Sequence, residues 1–371
     1  MCGMATSLTR RELLNLAGAS AAALAAPSTA AYAGQAGTHG QAGSLTDVAG
    51  VRVGHFTDNR RPTGCTVILF DRPAAAGADY DGSAPGESLG VLLQPVSPLE
   101  HIHAILLTGG GPMALGASSG VVRYLEEHGV GYDWGVPNVR VPIVVGAVID
   151  DLALGDGRIR VGPDEAYRAC QTAGTGPVAE GSVGAGTGAT VGKMFVGRGM
   201  QGMKGGVGTA SARLGDLVIS ALVVVNAAGD IVDRGTGVIV AGARTADGGG
   251  FAGTASLLRR DLEAPRAGAA AIADEPLRAT TLAVIATNAP FSKTELTKLA
   301  MMANTGAARA INPYHTQGDG DQVLAVSTGE LKRQASLTAV GAVAAELVGD
   351  AVLRAVRAAT GIPGWPGVAN L

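Results

Sequence analysis

Arg278-Ala279-Thr280-Thr281-Leu282-Ala283-Val284-Ile285-Ala286-Thr287-Asn288 is the stretch on which the reading of this chain turns. Leu282 to Ala286 is a short unbroken apolar run, the pattern of a strand buried on both faces of a sheet. Two hydroxyl residues stand at its entrance. The long Gly/Ala-rich segment before them, Ala241 to Ala271, reads as mobile. A Thr opening a rigid strand after a mobile segment is a place where a chain can cut itself, leaving Thr280 with a hydroxyl and a free amine on one residue. The same pattern also fits two ordinary β-branched strand residues, and pattern alone leaves both readings open.

The chain has 371 residues, 47% hydrophobic and 16% charged, with 57 Gly. That is a globular composition with an apolar core and many tight turns. The net charge is −3, with no basic face or run, which sets nucleic acid aside as a partner. Arg10-Arg11 precede an apolar stretch, Leu16 to Ala26, and Ala31-Tyr32-Ala33 fits the small-x-small cleavage rule. Residues 1–33 therefore read as a twin-arginine export signal, 34–44 as a Gly-rich linker, and 45–371 as a single domain. The apolar stretch is shorter than the ~20 residues a spanning helix needs, so no membrane anchor is expected once the signal is removed. Cys65 and Cys170 remain after the signal; an exported protein can pair them, but isolated cysteines are more often buried thiols. No Cys/His spacing suggests zinc.

Strands are expected at Val51 to Phe56, Cys65 to Phe70, Ala104 to Leu107, Val141 to Ile149, Leu217 to Asn226 and Val323 to Val326. A turn at Ala227 to Asp230 returns the chain at Ile231 and Val232 as a hairpin. Ser292-Lys293-Thr294-Glu295 is a capping box opening a helix with apolar residues at helical spacing, stopped by Pro313. Leu337 to Ala358 is a long Ala-rich helix. Interleaved strands and helices without a strict βαβ rhythm argue for sheets layered with helices. Gly184 to Lys193 invites a phosphate-loop reading that fails, because Thr187 stands where the first Gly is required and Met194 where a hydroxyl must bind magnesium.

Taken together, several stretches resemble the autoproteolytic N-terminal-nucleophile family of L-aminopeptidase/D-amidase-esterases, β-peptidyl aminopeptidases and nylon-oligomer (6-aminohexanoate-oligomer) endo-hydrolases. They are Asp47 to His55, Leu107-Thr108-Gly109-Gly110, Gly184 to Lys193, Lys204 to Ala212, Val225-Asn226, Thr280-Thr281 and His315 to Asp321. The resemblance spans Leu45 to about Thr360. It implies an αββα sandwich, cleavage between Ala279 and Thr280 into fragments 34–279 and 280–371, and oligomers of the cleaved unit. Thr280 and the Asp319-Gly320-Asp321 turn look closer to the nylon-oligomer hydrolase branch; the aminopeptidase branch typically has Ser at the cut and Ser and Glu in that turn. Ala279 departs from the Asn usual before the cut. Asp150 occupies what looks like the position of an active-site Tyr.

The implied chemistry is physically coherent and needs no metal or cofactor. Thr280 Oγ attacks the Ala279 carbonyl, and water opens the ester. The freed α-amine, with a reference pKa of ~7.7–8.0, then serves as base for its own hydroxyl. Asn226, at a strand end, can donate to a developing oxyanion, a role worth roughly 3–4 kcal/mol elsewhere. Lys193 adds positive charge, Asp319 and Asp321 hold the ammonium or hydroxyl, and Asp150 is placed to contact a small peptide or oligoamide substrate. Two other functions stay open at this stage. One is a serine hydrolase using the elbow-like Gly116-Ala117-Ser118-Ser119-Gly120 with Asp230 and His315. The other is a non-catalytic exported binding protein.

Overall fold

The computed structural model describes residues 43–263 and 279–371. The expected signal, residues 1–33, lies outside the described residues, as does all of the linker except Gly43 and Ser44. Ser44 is buried, and its Oγ accepts the Val178 N–H at 3.0 Å.

The strands are β1 (Val51–Asp58), β2 (Thr63–Asp79), β3 (Glu87–Ser88), β4 (His101–Thr108), β5 (Val144–Val148), β6 (Thr190–Val191), β7 (Met203–Lys204), β8 (Gly206–Leu214), β9 (Leu217–Asn226), β10 (Asp230–Val232), β11 (Ile239–Ala241), β12 (Thr280–Thr287), β13 (Ile311–Asn312) and β14 (Gln322–Ser327). The helices are α1 (Ser118–Glu127), α2 (Pro163–Gln171), α3 (Thr254–Glu263), α4 (Lys293–Ala310) and α5 (Leu337–Arg357).

One long strand organises the sheet. The main sheet runs β3-β5-β4-β2-β14-β12-β9-β8, with β1 pairing β2. The first part of β2 pairs with β1 and β4, and its end, Ala75 to Asp79, pairs with β14. Between Leu69 and Ala74 its register against β4 shifts, and Asp71, Arg72 and Pro73 are exposed there. A bulge carrying a proline bends a strand and leaves its ladder locally unpaired. The strand thereby carries one sheet from one layer into a second.

Three apolar clusters show the layering. On β12, Leu282, Val284 and Ala286 face one cluster with Ile68, Ile105, Val145, Leu222 and Val224. Ala283 and Ile285, on the opposite face, join Leu299, Ala303, Val348 and Val352 of α4 and α5. Val67, Leu69 and Leu106 pack outward against Val121, Leu125 and Ala166 of α1 and α2. Period-two alternation thus gives each strand an inner face against the other layer and an outer face against helices. This is the αββα sandwich. All of β12 is buried, as its unbroken apolar run requires.

Local signals hold where they were strong. Ser292 N donates to Glu295 Oε2 at 2.8 Å, completing the capping box of α4, a contribution of about 1 kcal/mol. Gly306 lets α4 approach α5, since a Cβ there would lie 2.0 Å from the Ala345 carbonyl oxygen. Two expectations fail. The 241–271 segment is ordered in its first part, where α3 forms over Thr254-Ala255-Ser256-Leu257-Leu258, a helical pattern hidden between glycines; residues 264–271 lie outside the described residues. β10 does not return along β9 but pairs with β11 and β13, so Ala227 to Asp230 turns the chain out of the main sheet. Cys65 and Cys170 are free and buried, and burial pushes both thiols up, Cys170 to about 12. Among the described residues no helix is long and apolar enough to cross a membrane.

Candidate active site

Three strand ends meet at one end of the sandwich. β9 ends at Asn226, β12 begins at Thr280 directly opposite it, and Asp319-Gly320-Asp321 leads into β14, which runs parallel to β12. Thr280 shares the parity of Leu282 and Val284, and Asn226 that of Leu222 and Val224. Both side chains therefore fall on the inner face, between the layers.

The peptide between Ala279 and Thr280 is the centre of the arrangement. Thr280 is buried, 7% exposed, and its Oγ donates to the Ala279 carbonyl oxygen at 2.6 Å. The same oxygen accepts the Gly320 N–H at 3.0 Å. Gly320 must be glycine for this approach, since a Cβ there would lie 2.8 Å from Thr280 Oγ and 2.6 Å from the Ala84 carbonyl oxygen. The turn is pinned from the other side by Gly82 N to Asp321 O and Ala84 N to Asp319 O, each 3.0 Å.

Asn226 is oriented by its oxygen. Oδ1 accepts from Thr190 N at 3.0 Å and from Lys193 Nζ at 2.5 Å. Those bonds fix the amide and turn Nδ2 the other way, where it reaches the Asp150 carbonyl oxygen at 3.4 Å. Lys193 thus acts on Asn226 as well as through its charge. Loss of water lowers its pKa to about 7, against the opposing pull of Asp150, Asp319, Asp151 and Asp321.

The two carboxylates differ. Asp321 Oδ1 accepts the Thr281 N–H at 2.6 Å, and its Oδ2 lies 3.2 Å from His315 Nδ1. Asp319 Oδ2 accepts the Thr316 N–H at 2.8 Å, and its Oδ1 is buried with no hydrogen-bond partner among the described residues. Burial, and then the neighbouring Asp321 charge, raises the Asp319 carboxyl to about 6. A buried, unpartnered carboxylate oxygen titrating near neutrality has the properties of a proton acceptor.

Asp150 follows β5, and its Oδ1 caps the Leu152 N–H at 2.9 Å. Next to it, Asp151 is buried and bonded to Arg61, to Thr63 Oγ1 at 2.7 Å and to Gly110 N at 2.9 Å. This cluster, absent from the sequence reading, fixes the loop that carries Asp150.

The structure thus gathers Thr280, Asn226, Lys193, Asp319, Asp321 and Asp150 around one peptide bond. Sequence reasoning missed the Gly320 amide, because a backbone N–H leaves no signature of its own, and the His315 contact to Asp321. It does not bring the serine-hydrolase set together. Ser118 Oγ is bonded to the Leu115 carbonyl oxygen, and the Asp230 carboxylate to Ala243 N, Thr254 N and Thr254 Oγ1. His315 faces Asp321 instead.

The sequence profile of peptidase family S58 matches residues 43–369. The chain belongs to peptidase family S58. This S58 peptidase is 39% identical over 353 residues to an uncharacterised aminopeptidase of Mycobacterium tuberculosis, covering 87% of the chain and 96% of the relative. It is 34% identical over 328 residues to the 6-aminohexanoate-oligomer endohydrolase of Paenarthrobacter ureafaciens, covering 83% and 84%. Among solved structures it is similar to a Burkholderia beta-aminopeptidase, with a TM-score of 0.64, 26% identity and coverage of 86% and 88%. It shares its fold with the L-aminopeptidase D-Ala-esterase/amidase of Ochrobactrum anthropi, described as a variant of the Ntn hydrolase fold (TM-score 0.62, 23% identity). The S58 peptidase is accordingly a hydrolase of peptide or amide bonds on an N-terminal-nucleophile fold.

Proposed function

We propose that this S58 peptidase cuts itself between Ala279 and Thr280 and then hydrolyses amide bonds with Thr280 as an N-terminal nucleophile. The observation that carries the reading is the Ala279 carbonyl oxygen, held by the Gly320 N–H at 3.0 Å with Thr280 Oγ at 2.6 Å. In the first step a bond forms from Thr280 Oγ to the Ala279 carbonyl carbon, and the carbon–nitrogen bond breaks. The hydroxyl proton leaves through Asp319 and ends on the Thr280 nitrogen. Water then opens the ester, giving an Ala279 carboxylate and a free Thr280. Gly320 N–H and Asn226 Nδ2 are the donors for the oxyanion.

In the mature enzyme the same Oγ attacks a substrate amide, the α-amine takes its proton, and the acyl-enzyme is hydrolysed. Thr280→Ala should stay uncut and inactive on amides. N-terminal sequencing of the small fragment should begin at Thr280; a start at Thr281, or a Thr280→Ala variant that is still cut, refutes the assignment.

The substrate is an aminopeptidase-type peptide or an aliphatic oligoamide, and the two specificities lean on different residues. Thr280 with the Asp319-Gly320-Asp321 turn favours the oligoamide. Asp150 offers a carboxylate to a substrate ammonium. Cleavage of amino-acid p-nitroanilides against a 6-aminohexanoate oligomer, each with wild type and Asp150→Tyr, separates them. An ammonium anchor predicts a larger loss on the p-nitroanilide; equal loss removes that role. Export by the twin-arginine route, with cleavage after Ala33, and self-association of the cleaved unit complete the proposal. Arg10→Lys with Arg11→Lys should strand the precursor in the cytoplasm, and unchanged export would remove that part.

A further inference from the structure

His315 belongs to a chain of side chains that ends on the peptide after the nucleophile. Its backbone is left-handed, with φ 54°, and its ring lies tilted by 36° against Tyr314 with centroids 3.9 Å apart. Nδ1 lies 3.2 Å from Asp321 Oδ2, and Nε2 lies 3.1 Å from Asn304 Nδ2. Asn304 is buried and has its amide fixed from two sides: its Oδ1 accepts the Tyr314 hydroxyl at 2.8 Å, and its Nδ2 donates to Asp79 Oδ2 at 2.9 Å.

These partners assign the tautomer. Asn304 Oδ1 is occupied, so the atom facing the imidazole is a donor nitrogen. Nε2 must then accept, and the ring proton sits on Nδ1, 3.2 Å from Asp321 Oδ2 but off the line of a hydrogen bond to it, while the His315 backbone N–H donates to that same oxygen at 3.3 Å. The other oxygen of Asp321 holds the Thr281 N–H at 2.6 Å, one peptide from Thr280.

We propose that His315 is a positioning residue for Thr280: oriented by Asn304 and Asp79, it sets its Nδ1 edge and its backbone N–H against Asp321 Oδ2 and so holds that carboxylate in place against the Thr281 amide. This rests on the reading of Thr280 as nucleophile. The charged and titratable groups around the imidazole are Asp321, Asp81 (Oδ2 4.0 Å from Nε2), Asp79 and Tyr314, with Asp319 and Lys193 beyond Asp321. Burial disfavours imidazolium, and the bond to Asp321 with the charges of Asp321, Asp81 and Asp79 outweighs it, so the pKa lies above the ordinary value. Protonation would place a hydrogen on Nε2 against the Asn304 amide and break the chain, so the arrangement is complete only above that pKa.

The test compares His315→Ala with His315→Asn. Asn tolerates the left-handed backbone and carries an amide donor near the Nδ1 position. His315→Ala should lower kcat on an amino-acid p-nitroanilide about ten- to hundred-fold with KM unchanged, the loss of the polar side-chain contact that holds Asp321. His315→Asn should restore kcat. Equal impairment of the two variants makes His315 a packing residue and overturns the proposal. A nitrogen-15 spectrum of the uncut Thr280→Ala chain at pH 8 tests the tautomer without activity: protonated Nδ1 and bare Nε2 are expected, and the reverse refutes the assignment. A wild type that neither cuts itself nor cleaves amides would sink the nucleophile reading and leave that spectrum to decide the hydrogen-bond chain.

Discussion

Gly320→Ala probes the centre of the site with one methyl group. The added Cβ would lie 2.8 Å from Thr280 Oγ and 2.6 Å from the Ala84 carbonyl oxygen, both under the 3.0 Å that real Cβ contacts respect. The turn cannot retreat freely, because Ala84 N to Asp319 O and Gly82 N to Asp321 O tie it to the neighbouring segment. The methyl is therefore accommodated by moving Thr280 Oγ or by drawing the Gly320 N–H away from the Ala279 oxygen. Losing one oxyanion donor costs about 10²- to 10³-fold in rate, and a misplacement of about 1 Å costs roughly 10²-fold. Self-cleavage should slow by about 10²- to 10³-fold, while overpacking lowers stability by about 1–3 kcal/mol. Chain synthesised in a cell-free extract and chased at pH 7 gives the rate from the disappearance of precursor on a denaturing gel. Thermal melting confirms that the variant folds. A folded Gly320→Ala precursor that cuts at the wild-type rate would refute both the Gly320 donor and the placement of Oγ.

Lys193→Met removes one of the donors to Asn226 Oδ1 and leaves the amide held there by Thr190 without the lysine; a loss of about 10- to 100-fold in kcat is expected, and an unchanged kcat in a folded variant would dismiss the orienting role. Self-cleavage should rise with pH as Asp319, raised by burial and then by Asp321 to about 6, loses its proton, and then level off; a flat rate from pH 5 to 7 argues against Asp319 as acceptor. Arg61→Met strands the Asp151 carboxylate in a site where both side chains are at most 1% exposed, and should cost about 3–5 kcal/mol in urea unfolding. A cost below about 1 kcal/mol would mean the pair holds nothing in place.

Much of the fold was legible because the signals were periodic. The apolar runs of β9, β12 and β14 and the capped pattern of α4 depend on neighbours a few residues away, which a sequence displays directly. Helix α3 escaped because glycines surround it, and β10 because a turn does not say which strand it returns to. The site was legible as residue types: a Thr at a strand entrance, an Asn at a strand end, two Asp around a Gly. What the sequence could not carry was their meeting. Asn226 faces Thr280 only because β9 and β12 pair antiparallel in that register, and Asp319 joins them only because β14 runs parallel to β12.

By itself, then, the sequence determined the local elements and the chemistry available at Thr280, Asn226, Lys193, Asp150, Asp319 and Asp321. Tertiary structure alone decided that the Gly320 amide holds the Ala279 oxygen, that Lys193 works on Asn226, and that His315 belongs to Asp321 and not to Ser118. The physical reason is range. Propensity and periodicity act within a turn of helix or a pleat of strand, whereas a hydrogen bond to a backbone amide or a buried carboxylate depends on where distant segments come to rest.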